Sequence, residues 1–201
     1  QASKLTTSSA AALTATQVAA LQTADLVKLT TDAVSALSSS AVSALTTSQI
    51  AAMTTAQTVA LTTDQIKQLG TAQVAALTTA QAAALTTDQV SALSGTQVAK
   101  MESSDFAKLS TAAIAALSSA QTRSLTTDQI VALSTAQAAA LNTDSAAALT
   151  SVQVAALETS DIAKLSTDAI AALTNSALRG LDSAQVGALT TGQLAAVTTG
   201  Q

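Results

Sequence analysis

Apolar and hydroxyl-bearing positions recur along this chain with a period of eight. Stepping by eight from Leu5 through Leu13, Leu21 and Leu29 to Leu189 and Val197 meets an apolar residue every time: 22 Leu, two Met and one Val. Take that residue as position one of an octad. Position six is then Val, Ile, Leu or Phe in 18 of 24 octads, position two is Ser, Thr, Asn or Asp in 21 of 25, and position five is Gln in 15 of 25. Position eight is mostly Ala, and no insertion or deletion interrupts the count. An internal repeat this strict is read before any other feature.

A continuous helix cannot carry the pattern. Eight residues overshoot two helical turns by about 80°, so the Leu stripe would wind around the whole surface within a few octads, and no partner could cover it. A β-solenoid is the alternative reading, with two arguments against it. Positions one and six have opposite parity, so the alternation of faces fails once per octad. Ala is also a poor strand residue, and the six Gly of the chain are few for tight corners. A short helix restarted in every octad fits better. Thr or Ser at position two is a good N-cap. Gln three residues later completes the reciprocal capping box. Asp at position four, as at Asp32, Asp64, Asp88, Asp128, Asp144 and Asp168, lies in the first turn, where the helix dipole favours a negative charge. In the stretch L-T-T-D-Q-I-K-Q-L (61–69), Thr62 caps, Gln65 returns the cap, and Ile66 and Leu69 share the inward face.

One octad buries too little apolar surface to offset the ordering of eight residues, and a helix this short is unstable alone. Stability has to come from neighbours stacking, as in a solenoid. No sixteen-residue alternation marks helix hairpins, so every octad is equivalent. The expected fold is therefore all-α: a solenoid or superhelix of very short helices, one per eight-residue repeat, around a thin Leu/Val/Ile axis. Ala at positions seven and eight is expected to let the helices approach closely. Residues 1–201 read as a single tandem array of about 25 octads. Because Gln1–Lys4 and Val197–Gln201 already fit the octad, the array is expected to be part of a longer one.

Composition narrows the function. The chain is 48% hydrophobic, yet Phe106 is its sole aromatic residue, and it has no Pro, Cys, His, Trp or Tyr. Eight Lys and Arg face 12 Asp and Glu, for a net charge of −4. That leaves no basic surface to neutralise a phosphate backbone, so no nucleic acid is expected as a partner. Thr, Ser and Gln break every apolar run, so no membrane insertion by this segment is expected. Hydroxyls are abundant but lack a His or clustered carboxylates as a base, and no Gly-rich phosphate loop is present. The chain is expected not to be an enzyme, with no catalytic, cofactor-binding or metal-binding residues and no cofactor.

Three octads depart from the pattern together: Leu21–Lys28, Met101–Lys108 and Leu157–Lys164. Each carries Gln or Glu at position two, Asp at position five and Lys at position eight. The spacing predicts exposed i,i+3 ion pairs Asp25–Lys28, Asp105–Lys108 and Asp161–Lys164. The following octad has Ala at position five in each case: Ala33, Ala113 and Ala169. These read as marks of a duplicated longer block, or as a periodic contact or ion site.

The phrase L-T-T-x-Q-[VI]-x-A-L occurs at Leu85–Leu93 and Leu125–Leu133, and with one substitution each at Leu45–Met53 and Leu77–Leu85. It resembles octapeptide-repeat regions of very large bacterial proteins described as adhesin-like or surface-exposed, and the likeness runs the length of the chain. The resemblance implies a secreted or cell-surface location and a structural stalk, spacer or scaffold role. The alternative reading is a repetitive binding surface, in which the Ser/Thr rows of positions two and three meet a glycan or an ice lattice. Apolar repeat ends would also permit end-to-end self-association.

Overall fold

The computed structural model describes residues 4–197. The expected continuation of the octad into Gln1–Lys4 and Val197–Gln201 therefore lies mostly outside the described residues. Among those described, 24 α-helices of four to six residues follow one another from Thr7–Ala11 to Thr191–Ala196, with no strand. The architecture is the all-α solenoid, one helix per octad, and the β-solenoid alternative finds no support.

The corner between helices is made by positions one and two. Leu61 ends one helix at φ −62°, ψ 129°, and Thr62 opens the next at φ −71°, ψ 159°. Both are extended conformations open to any L-residue. Two extended residues between two short helices turn the chain without a left-handed residue, and no described residue has positive φ. This is why the fold runs on Leu-Thr corners and needs so little Gly.

The chain divides into two compact units, Gln1–Met101 and Glu102–Gln201. Within each unit a helix packs on the one three octads later. In the first, Thr31–Ala36 packs on Thr55–Ala60, which packs on Thr79–Ala84. In the second, Ser119–Ser124, Thr143–Ala148, Thr167–Ala172 and Thr191–Ala196 stack in succession. One turn therefore takes three octads, or 24 residues.

Positions one and six form the apolar core as expected. Leu69 is 4% exposed and Ile66 1%, and Phe106 occupies position six of its octad fully buried. Two expectations need correction. Ala at position seven does not line the core in octads such as that of Ala83, which is exposed, while Ala at position eight is half-buried at Ala84 and buried at Ala148. Ala suits these outer positions because it has the highest helix propensity, which matters most in helices of one or two turns. Nor is the axis purely Leu, Val and Ile. Position five is also inside, so that Gln65, Gln81 and Gln129 are 2%, 1% and 1% exposed.

Candidate functional site

The buried Gln is the most specific chemical feature of the octad. Gln65 shows why. Its Oε1 accepts the Thr62 N–H at 2.8 Å while its own N–H donates to Thr62 Oγ1 at 3.2 Å, the two halves of the capping box. Its Nε2 is then left with two donors, and these leave the octad altogether: one to the Val34 carbonyl at 3.0 Å and one to the Leu37 carbonyl at 2.7 Å. Those carbonyls belong to the end of the helix Thr31–Ala36 and the corner after it, and the Val34 carbonyl accepts the Leu37 N–H as well. One amide thus closes the N-terminus of its own helix and the C-terminal end of a helix from an earlier turn.

Only Gln meets both demands at this reach. Glu would serve the capping box equally well but would set a carboxylate against two carbonyls, and Asn is a methylene shorter. The first unit repeats the arrangement in seven consecutive octads, at Gln49, Gln57, Gln65, Gln73, Gln81, Gln89 and Gln97. The second unit has it at Gln137, Gln153, Gln185 and Gln193. In all of these the bond to the position-one carbonyl, 28 residues earlier, is 2.6–2.8 Å. The sequence carried a signal that sequence reasoning passed over: position five never holds Glu, although a capping box accepts it.

The hydroxyl rows divide by position. Those of position two are used for capping: Thr46, Thr54, Thr62, Thr86 and Thr126 each accept the N–H of the Gln three residues on. Those of position three open their helices, and Thr63 and Thr127 among them are exposed.

The three unusual octads do not behave alike. Asp25 and Lys28 form the expected pair, 3.8 Å apart and half exposed. Asp105 and Asp161 instead occupy the buried position-five slot, 3% and 1% exposed. Lys164 points outward, exposed, and makes no ion pair with Asp161. The expected surface pair fails there because Asp161 is buried while the long Lys164 side chain keeps its charge in solvent. Burial, with the Glu158 carboxylate adding to it, raises the Asp161 pKa from 3.8 to about 6. Its Oδ2 is buried without a hydrogen-bond partner. In the Asp25 and Asp161 octads the N-cap, Gln22 or Glu158, makes no side-chain capping bond.

The remaining surface holds little chemistry. An open notch in the second unit is lined by Ser119, Arg123, Asp144, Ala147 and Ala148. Among the described residues no three His, Cys, Asp or Glu side chains come together as metal ligands. No described helix is long and apolar enough to cross a membrane.

No curated protein matches the chain. The ALTTAQ repeat family matches it at residues 18–55, 58–95, 98–135 and 162–199. These segments begin 40 or 64 residues apart, whole numbers of octads, so the family's unit runs in register with the helices. With most of its length covered in this way, the chain belongs to the ALTTAQ repeat family.

Proposed function

We propose that the chain is a structural spacer, a stalk or scaffold stretch of a bacterial secreted or cell-surface protein of the adhesin-like kind, with no catalysis of its own. The observation that carries this reading is the double tie between turns. From Gln49 to Gln97 every octad buries its position-six side chain and sends a Gln amide to an earlier helix end. Repeats joined only to near neighbours extend a protein by addition, with each octad contributing the same interface. The residue inventory agrees, because a chain without His, Cys or Tyr and with Asp spent at helix N-termini has no acid–base pair to offer.

The experiment is a series of chains with different numbers of octads, measured by small-angle scattering. The maximum dimension should rise in proportion to octad number. A dimension that stays constant would remove the spacer reading. A second reading, a repetitive binding face for glycan or ice, is favoured by one observation: position-three hydroxyls such as those of Thr63 and Thr127 are on exposed residues and lie outside the capping boxes. Glycan arrays and thermal hysteresis test it, and two blank results would dismiss it. End-to-end association would appear as concentration-dependent light scattering.

A further inference from the structure

One stretch of the second unit lacks the amide tie for a whole turn. The position-five slots of three successive octads hold Asp161, Ala169 and Ala177, and Gln returns only at Gln185 and Gln193. All three are buried, 1%, 0% and 0% exposed. By the register of the neighbouring octads, in which Gln153 and Gln185 reach carbonyls 28 and 31 residues earlier, the carbonyls of Leu133 and Ile130 are the ones a Gln in the Asp161 slot would serve. In the octads that hold Gln, this slot presents a donor to the corresponding acceptors. Here an ionised carboxylate would present only lone pairs. One of its oxygens is buried without a partner.

We infer that the turn built on Asp161, Ala169 and Ala177 is an acid-tightened seam of the solenoid, held most firmly when the Asp161 carboxyl carries a proton. Protonation removes the charge that burial penalises and gives the carboxyl, one of whose oxygens is buried without a partner, a hydrogen to donate. The surroundings supply no compensating cation. The helices that pack on Thr159–Ile162 are Thr135–Ala139 and Ser183–Ala188, and neither contains a titratable side chain, while Thr127–Val131, which carries the Ile130 carbonyl, has one acid, Asp128, and it is exposed. Asp182 caps the second of these by accepting the Gln185 N–H. On Asp161's own octad, Glu158 opposes ionisation and Lys164 lies exposed. A position in the first turn of a helix favours a carboxylate, but a four-residue helix offers little dipole and burial prevails.

The sign follows from the pKa, about 6 in the fold against 3.8 ordinarily. The contribution is fully present below 3.8, declines as pH rises, and is gone above about 6. The full chain is studied by amide hydrogen exchange, corrected for intrinsic rates, between pH 7.5 and pH 5. Residues 159–181 should gain about tenfold in protection on acidification, while Thr47–Lys67 serves as the internal reference. Asp161→Asn should abolish the gain and start at pH 7.5 from the acid level of the parent. Asp161→Gln, which restores the residue the repeat uses in this slot, should do the same if the Asn variant folds poorly. An unchanged pH response in both variants, or a loss of protection on acidification, overturns the proposal. So does a gain at pH 7.5 on adding millimolar calcium that Asp161→Asn removes, since the slot would then take a metal cation in place of a proton.

Discussion

The run of octads from Gln49 to Gln97, in the first unit, and the turn from Asp161 to Ala177, in the second, bury the same kind of apolar side chains and differ in polar chemistry. Ile66 and Val90 in the first are 1% and 0% exposed, and Ile162 and Ile170 in the second are both fully buried. Leu69 and Leu165 are also equally hidden, at 4% and 3%. Yet in the first run every octad ties two turns through a Gln amide, and in the second none does. Apolar packing alone therefore suffices to lay one turn on the next. The amides decide how firmly the turns are joined, because each buries two helix-end carbonyls together with their donor.

The largest effect should come from removing an amide inside the regular run. Gln81→Leu keeps the volume but deletes the bonds to the Thr78 N–H and to the carbonyls of Ile50 and Met53. A loss of about 3–5 kcal/mol is expected, read by urea unfolding, because the Thr78 N–H and the Met53 carbonyl lose their partner while the Ile50 carbonyl keeps only the Met53 N–H. A loss under about 1 kcal/mol would mean that the tie contributes little beyond packing and would break the comparison.

The turn without amides uses a close backbone approach in one place. A Cβ added to Gly180 would lie 2.2 Å from the Ser151 carbonyl oxygen, on backbone that cannot rotate away. Gly180→Ala should cost about 2–3 kcal/mol. Gly187→Ala, whose Cβ meets nothing within 4 Å and which sits inside the helix Ser183–Ala188, should be neutral or stabilising by up to about 1 kcal/mol. Equal thermal midpoints for the two variants would contradict this.

Capping sharpens the contrast at a smaller scale. Thr86→Ala removes the Oγ1 that accepts the Gln89 N–H and should cost about 1 kcal/mol. Glu158→Ala removes no capping bond and relieves a charge beside Asp161, so it should be neutral or slightly stabilising at pH 7. The smallest effect belongs to Lys67→Ala. It deletes the exposed pair with Asp64 at 3.1 Å and should change stability by less than about 0.5 kcal/mol. A larger loss would show that surface pairs stiffen the array.

Much of the octad could be read directly. Thr62 as cap, Gln65 as its return and Ile66 with Leu69 as the inward face are local features, and local hydrogen bonds follow from spacing along one short helix. The second face of Gln65 was not legible in the same way. Its partners Val34 and Leu37 lie 31 and 28 residues away, and nothing within one octad states how many octads complete a turn. The error over Asp161 and Lys164 has the same origin. A three-residue spacing says the two can meet, but which of them faces the core depends on where the neighbouring turn lies.

The sequence by itself determined that this chain breaks into helices of one octad each, because the hydroxyl, the Gln and the Leu that stop and restart the backbone sit within eight residues of one another. It also determined that those helices must stack, since a single octad cannot bury enough to stay ordered. Only the tertiary structure decided that three octads make a turn and that position five looks inward. The Gln amide thereby becomes a link between turns and Asp161 a buried acid, because these depend on distances between residues that the chain order holds far apart.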